Sequence, residues 1–279
     1  VAARRWTAAA RITILRAMKT PILSGAALLA VALAASAQPP GTEPNPEIAA
    51  IVSEISVARI EHTIRTLAEF GTRNSLSDTV SGTRGIGAAR RWIKSQLEQC
   101  SRESGGRLQV DFDVHQIESG SRIPKPVDIV NVVATLPGTQ PESRDRIYVV
   151  SGHYDSMPSS PVDGEKDAPG ADDDASGSAV SMELACVMAR HHFDATLVFM
   201  TVAGEEQGLY GSTGFADAAR AKGLDIEGML DNDIVGASTG PDGKIDQGRV
   251  RLFAQGVPAE KELPEDVRAA LRTGGENDL

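Results

Sequence analysis

ATLVFMTVA, Ala195–Ala203, is nine residues of nearly unbroken apolar and β-branched sequence, and Gly204-Glu205-Glu206 follows it directly. A strand buried on both faces reads this way, without polar alternation. Upstream lies a helical stretch, Ala175–Arg190, and before it a second short buried strand, Ile147–Ser151 (IYVVS). Downstream come a helix over Tyr210–Lys222 and a third strand over Gly228–Val235. Strand, helix, strand, helix, strand predicts an α/β three-layer sandwich, with a mixed, mostly parallel central sheet covered by helices on both faces. Leu108–Ile117 and Ile129–Leu136 supply two more strands, separated by a loop holding Pro124 and Pro126. Ahead of them, Ile48–Phe70 carries Ile51, Ile55, Ile60, Ile64 and Leu67 at helical spacing and stops at Gly71. Thr83–Cys100 reads as a further helix, with Ile86, Ala89, Trp92, Ile93 and Leu97 on one face. Its Gly85-Ile86-Gly87 has neither the preceding strand nor the third glycine of a dinucleotide loop, so these are helix-start glycines.

Sheets of this kind bind ligands outside the carboxyl ends of their strands, and the acidic groups fall there. His153 and Asp155 follow IYVVS two residues apart, a spacing that lets the aspartate hold the imidazole. Pro169–Gly177 (PGADDDASG) places Asp172, Asp173 and Asp174 in a row where a helix opens. Glu205 and Glu206 follow ATLVFMTVA, and their adjacency lets one bind a metal while the other acts as a base. Asp231 and Asp233 flank Asn232 at the end of the third strand. Each group alone has a bland reading: a structural histidine, a solvated acidic loop, surface glutamates. Converging from several strand ends, so much negative charge requires a cation to offset it, and imidazole with carboxylate oxygens is a metal's donor set.

SGHYDS, PGADDDASG, GEEQGLYGS and DNDIVG, in that order, resemble the motifs of the secreted di-zinc aminopeptidases, whose superfamily also holds glutaminyl cyclases, glutamate carboxypeptidases and transferrin-receptor-like domains. The resemblance runs from about Ile48 onward. It implies a site of two Zn2+ in which His153 and Asp233 ligate the first metal, Asp173 bridges and Glu206 ligates the second. Glu205 would be the general base of a metal-activated water, and Asp155 would orient His153. The implied activity is removal of N-terminal residues from peptides with a free N-terminus. A carboxypeptidase or glutaminyl cyclase on the same scaffold, or a non-catalytic module of that fold, are the alternatives. The family pattern also has another zinc-binding histidine with a tyrosine nearby. The five histidines here are His62, His115, His153, His191 and His192, and neither residue type follows Asp233. His191 and His192 precede the strand that Glu205 and Glu206 follow, roughly 30 Å away at about 3.3 Å per residue. The expectation is therefore a peptidase domain, 48–279, shortened at its C-terminus, where Leu271–Leu279 is polar and turn-like.

Met18–Ala37 reads as a signal peptide, with Lys19, an apolar run over Ile22–Leu33 and the small-residue site Ala35-Ser36-Ala37. Residues 1–17 then read as a mis-called upstream extension, and 38–47 as a Pro-rich linker. Five basic and no acidic residues precede Gln38, so cleavage deepens the formal charge from −10 to −15. Such an acidic chain suits neither nucleic acid nor, after cleavage, a membrane, and the expected location is secreted or periplasmic. Two cysteines, Cys100 and Cys186, are too few for a disulfide framework and leave one bond or two buried thiols open. Gly240–Gly248 (GPDGKIDQG) lacks the spacing of a calcium loop and reads as a hairpin turn.

Overall fold

A computed structural model describes residues 45–240, 242–248, 250 and 252. The expected leader, the upstream segment, most of the linker and the polar end at 271–279 lie outside the described residues. The elements are α1 (Pro46–Ser53), α2 (Val57–Glu69), α3 (Gly85–Glu103), β1 (Gln109–Ile117), β2 (Val127–Leu136), β3 (Arg146–His153), α4 (Ala175–Met188), β4 (Thr196–Val202), α5 (Glu205–Gly208), α6 (Tyr210–Lys222) and β5 (Asp225–Asp231). One five-stranded sheet has the order β1-β2-β4-β3-β5, so the apolar strand β4 is central, as burial on both faces demands. β3 pairs in parallel with both β4 and β5, whereas β1–β2 and β2–β4 are antiparallel. The sheet is mixed, and its parallel half carries the acidic motifs.

α2, α3 and α4 cover one face, where Leu67, Ile93, Val132, Met182 and Phe199 are buried in the larger core. α6 lies on the other, its Phe215 packed against Val149, Val198, Met200 and Val202. Among the described residues no helix is long and apolar enough to cross a membrane. The hairpin read at Gly240–Gly248 is present: Thr239 and Ile245 bridge, and Lys244 pairs with Asp242.

Several boundaries differ from the sequence expectation by a few residues, and two of the differences have a clear physical cause. Ile48–Phe70 is two helices, because Ser56 is extended and its Oγ accepts from Arg59 N (3.3 Å) as the cap of α2. Buried Glu183 of α4 fixes that break, accepting from Ser56 N at 2.7 Å and from Arg59 Nε at 2.8 Å. β5 begins earlier and stops at Asp231, so Asp233 lies in the turn after the strand. There Asn232 N and Nδ2 both donate to Ser151 O (2.9 and 3.0 Å). Ile234 turns into the left-handed region at φ 56°, a strained conformation for a β-branched residue.

Cys100 of α3 and Cys186 of α4 form a disulfide across 86 residues of sequence. It tethers the helix whose other end opens the acidic triplet. Cross-links over loops of this length typically contribute about 2–4 kcal/mol, chiefly by restricting the unfolded chain. The double variant C100S/C186S should therefore melt roughly 5–15 °C lower. An unchanged midpoint in calorimetry would show that the bond adds nothing to stability.

Candidate metal centre

The register of the parallel strands assembles the site. His153, the last residue of β3, pairs with Val202 at the end of β4, and Ser151 pairs with Asp231 at the end of β5. The segments leaving all three strands thus emerge at one edge, which the N-terminus of α4 also reaches. His153 is 4 % exposed. Its Nε2 lies 3.1 Å from Asp173 Oδ1, 3.9 Å from Glu205 Oε2 and 4.0 Å from Asp233 Oδ1. His153, Asp173 and Asp233 each offer a ligand atom within 4.8 Å of the other two. On the inner side of the ring, Nδ1 is 3.2 Å from the main-chain oxygen of Asp155 and 3.5 Å from its carboxylate. Both are acceptors only, so Nδ1 carries a proton and Nε2 is the nitrogen turned towards the carboxylates.

Asp155 is fully buried, and its carboxylate accepts from Glu205 N (3.3 Å) and Glu206 N (3.2 Å). It therefore aligns the start of α5 as well as the imidazole. Gly204 makes the turn into α5 at φ 73°, which a side chain would oppose. Glu205 points towards His153. Glu206, next in the chain, stands outside the three-residue cluster, and its main-chain oxygen accepts from Arg122 (3.1 Å). Asp231 is taken up by the sheet, where it accepts from the Ser151 hydroxyl. Asp172 is exposed, and its carbonyl accepts from Ser176 Oγ at 2.7 Å. His191, expected at a distance, pairs with Glu54 at 2.9 Å.

Two groups that organise the site were not singled out in the sequence. The first is Asp174, fully buried between the site and α4. Its Oδ2 accepts from His153 N at 2.9 Å, and its Oδ1 from Gly177 N at 2.8 Å and Ile234 N at 3.3 Å. One carboxylate thus caps α4 and holds the ends of β3 and of the turn after β5. Its position directly before a run of small residues opening a helix was the available signal. Close approach is required here, because a Cβ on Gly177 would strike the carbonyl of Asn232. The second is Arg73, fully buried in an irregular segment. It donates to the carbonyls of Leu67 (2.9 Å), Tyr154 (2.6 Å), Pro169 (2.6 Å) and Gly170 (2.8 Å). No periodicity marks that segment. Burial lowers the Arg73 pKa to about 10, against the opposing charges of Asp155, Asp174 and Asp173.

The electrostatics favour a cation. Burial lowers the His153 pKa, but the hydrogen bond and charge of Asp155, with the charges of Asp174 and Glu205, outweigh it and raise it to about 10. Burial raises Asp174 to about 7 although His153 and backbone N–H groups oppose it. Burial and then the charges of Asp155 and Asp173 raise Glu206 to about 7. Glu205 and Asp233 are also raised, mainly by burial, with His153 opposing and neighbouring carboxylates adding to it. The field that favours a proton on Nε2 favours a divalent metal in the same place. Imidazole with carboxylate oxygens suits zinc.

Fold and donor set together define an α/β domain with a candidate metal-binding triad at the carboxyl ends of its parallel strands. Residues 131–263, the stretch that holds all four motifs, match Peptidase family M28, in agreement with the resemblance read from those motifs. A probable zinc metalloprotease of Pyrenophora teres f. teres is 47 % identical over 237 residues, covering 84 % of this chain and 48 % of that protein. The chain spans about half the length of the curated relatives it matches. The LapA aminopeptidase of Legionella pneumophila superposes with a TM-score of 0.53 at 23 % identity, over 71 % of this chain and 47 % of its own. A glutaminyl cyclase of Macrostomum lignano gives 0.55 at 16 % identity, over 79 % and 62 %. These structures show a shared fold.

The imidazole of His153 and the carboxylates of Asp174, Glu205, Glu206 and Asp233 all bind protons more tightly folded than unfolded, and the lowered Arg73 titrates well above neutral pH. Stability must then fall as pH rises through each window. For Asp174 the window runs from 3.8 to about 7, for Glu206 from 4.5 to about 7, and for His153 from 6.5 to about 10. Chelator-treated protein should lose several degrees of melting temperature between pH 4 and pH 8, about 1 kcal/mol being worth roughly 2–4 °C at this size. Added zinc should reverse the loss most strongly at the higher pH. A zinc effect independent of pH would contradict this account.

Proposed function

We propose that the complete protein is a secreted zinc-dependent aminopeptidase acting on peptides with a free N-terminus. The observation that carries the reading is the grouping at His153 Nε2 of two carboxylates, Asp173 and Asp233, with a third, Glu205, 3.9 Å from the same nitrogen. His153 and Asp233 would hold one zinc, Asp173 would be shared between two, and Glu206 would contribute to the second. Bound zinc supplies Lewis acidity and makes water ionise near neutral pH. Glu205, half-exposed and with its pKa raised, suits a general base that accepts the water's proton and returns it to the departing amine. Asp155 keeps the imidazole and the glutamate pair in register. The surplus of carboxylates around the site attracts the α-ammonium of a substrate, and an acidic chain is a poor ligand for nucleic acid. The leader at Met18–Ala37 supports export, and the Cys100–Cys186 bond is consistent with an oxidising compartment.

Glutaminyl cyclases share the fold, so product mass is the discriminating measurement: hydrolysis adds water across the scissile bond, and cyclisation does not. Zinc per chain, determined together with turnover of aminoacyl-p-nitroanilides, tests the reading directly. Glu205→Gln should retain zinc and lose about 10²–10⁴-fold in kcat. Asp173→Asn should lose both zinc and activity. Wild-type kcat in the Glu205→Gln variant would remove that residue from the mechanism.

A further inference from the structure

The segment after α2 reads Thr72-Arg73-Asn74-Ser75, and all four side chains are buried, as is Ser77. Connecting segments normally run over the surface because their polar backbone needs water. This one is held inside by bonds to several segments that border the site. Arg73 donates to carbonyls on either side of it, as described above, and Asn74 Nδ2 donates to Pro161 O (3.1 Å) in the segment between β3 and the acidic triplet. Ser75, 3 % exposed, reaches the residues that follow β3 and β4. Its Oγ donates to Asp155 Oδ2 (3.2 Å) and accepts from Gly204 N (2.9 Å).

Three consecutive amides, of Gly204, Glu205 and Glu206, therefore rest on one two-residue device. Asp155 receives the second and third at 3.3 and 3.2 Å, and Ser75 receives the first through the shortest bond of the set. A hydroxyl can donate once while accepting, so Ser75 extends the carboxylate's reach to an amide that points elsewhere. Gly204 is buried, and its N–H would otherwise lack a partner in the turn that aims Glu205. We infer that Ser75 is a positioning residue for Glu205, acting through Gly204 and Asp155 and touching neither metal nor substrate. The inference rests on Glu205 being the general base.

Ser77 provides the control. Its Oγ accepts from Ile86 N (2.9 Å) and donates to Asn74 O, so it stabilises the same buried segment without contacting a site residue. In zinc-loaded full-length chain, Ser75→Ala should speed hydrogen exchange at the Gly204, Glu205 and Glu206 amides about tenfold or more. It should lower kcat by about 10–100-fold while KM stays within about twofold, since small misplacements of a reacting group cost that much. Ser77→Ala should lower the melting temperature without either effect. Ser75→Cys, which fills the site with only a weak hydrogen-bonding group, should reproduce the selective loss and covers the case in which the alanine variant does not fold. Unchanged exchange at the three amides, or equal kcat losses in the Ser75 and Ser77 variants, would overturn the assignment. A wild-type chain with zinc but no peptidase turnover would sink the functional reading, while the exchange comparison would still decide whether Ser75 holds the turn.

Discussion

The carboxylate of Asp174 is the point on which this architecture depends. A buried carboxylate is costly unless hydrogen-bond donors surround it, and here the donors come from three places: the end of β3, the first turn of α4 and the turn after β5. None of these segments can shift without leaving that group short of a partner. The same requirement holds Ile234 at its positive φ, so the strain of the turn is sustained by what the aspartate would otherwise lack. Helix α4 ties the arrangement to the rest of the fold. Its N-terminus meets Asp174, its middle packs on β3 and β4, and its C-terminal turn carries the disulfide to α3.

A second constraint is repulsion among the carboxylates that face outward. Asp173, Asp233, Glu205 and Glu206 are brought together by strand register, and burial and mutual charge push several of them towards neutrality. A chain selected only for stability would separate them. That three of them lie within 4.0 Å of one imidazole nitrogen is understandable if the group is completed by a cation.

Much of this was legible in the sequence because the informative residues lie on strongly patterned elements. β3 and β4 announce themselves as unbroken apolar runs, and whatever follows a buried parallel strand is delivered to the ligand-binding edge. That logic brings His153 and Glu205 to the same place without knowledge of the contacts. It is weaker where pattern gives way to side-chain bonding. The break at Ser56 depends on Glu183, more than a hundred residues away, and the early end of β5 depends on Asn232 finding Ser151. Neither is encoded in local periodicity. Arg73, Asn74 and Ser75 were silent for the same reason: a buried irregular segment has the composition of an exposed loop and is distinguished only by where its donors go. Asp174 was hidden by its neighbours, since three identical residues in a row do not reveal which one turns inward.

The burial of Thr72–Ser77 bears on how such a chain can change over evolutionary time. Surface connections lengthen and shorten freely between related proteins, which is how new specificities are grafted onto old scaffolds. This connection has no such freedom, because an inserted residue would move Arg73 away from the carbonyls it spans or Ser75 away from Gly204. Lysine could not substitute for Arg73 either, because a single ammonium cannot match the spread of a planar fork bonded at three nitrogens. Length variation among the descendants of this fold should therefore gather in exposed connections such as the turn between β2 and β3, while the segment from Gly71 to Ser77 keeps its length.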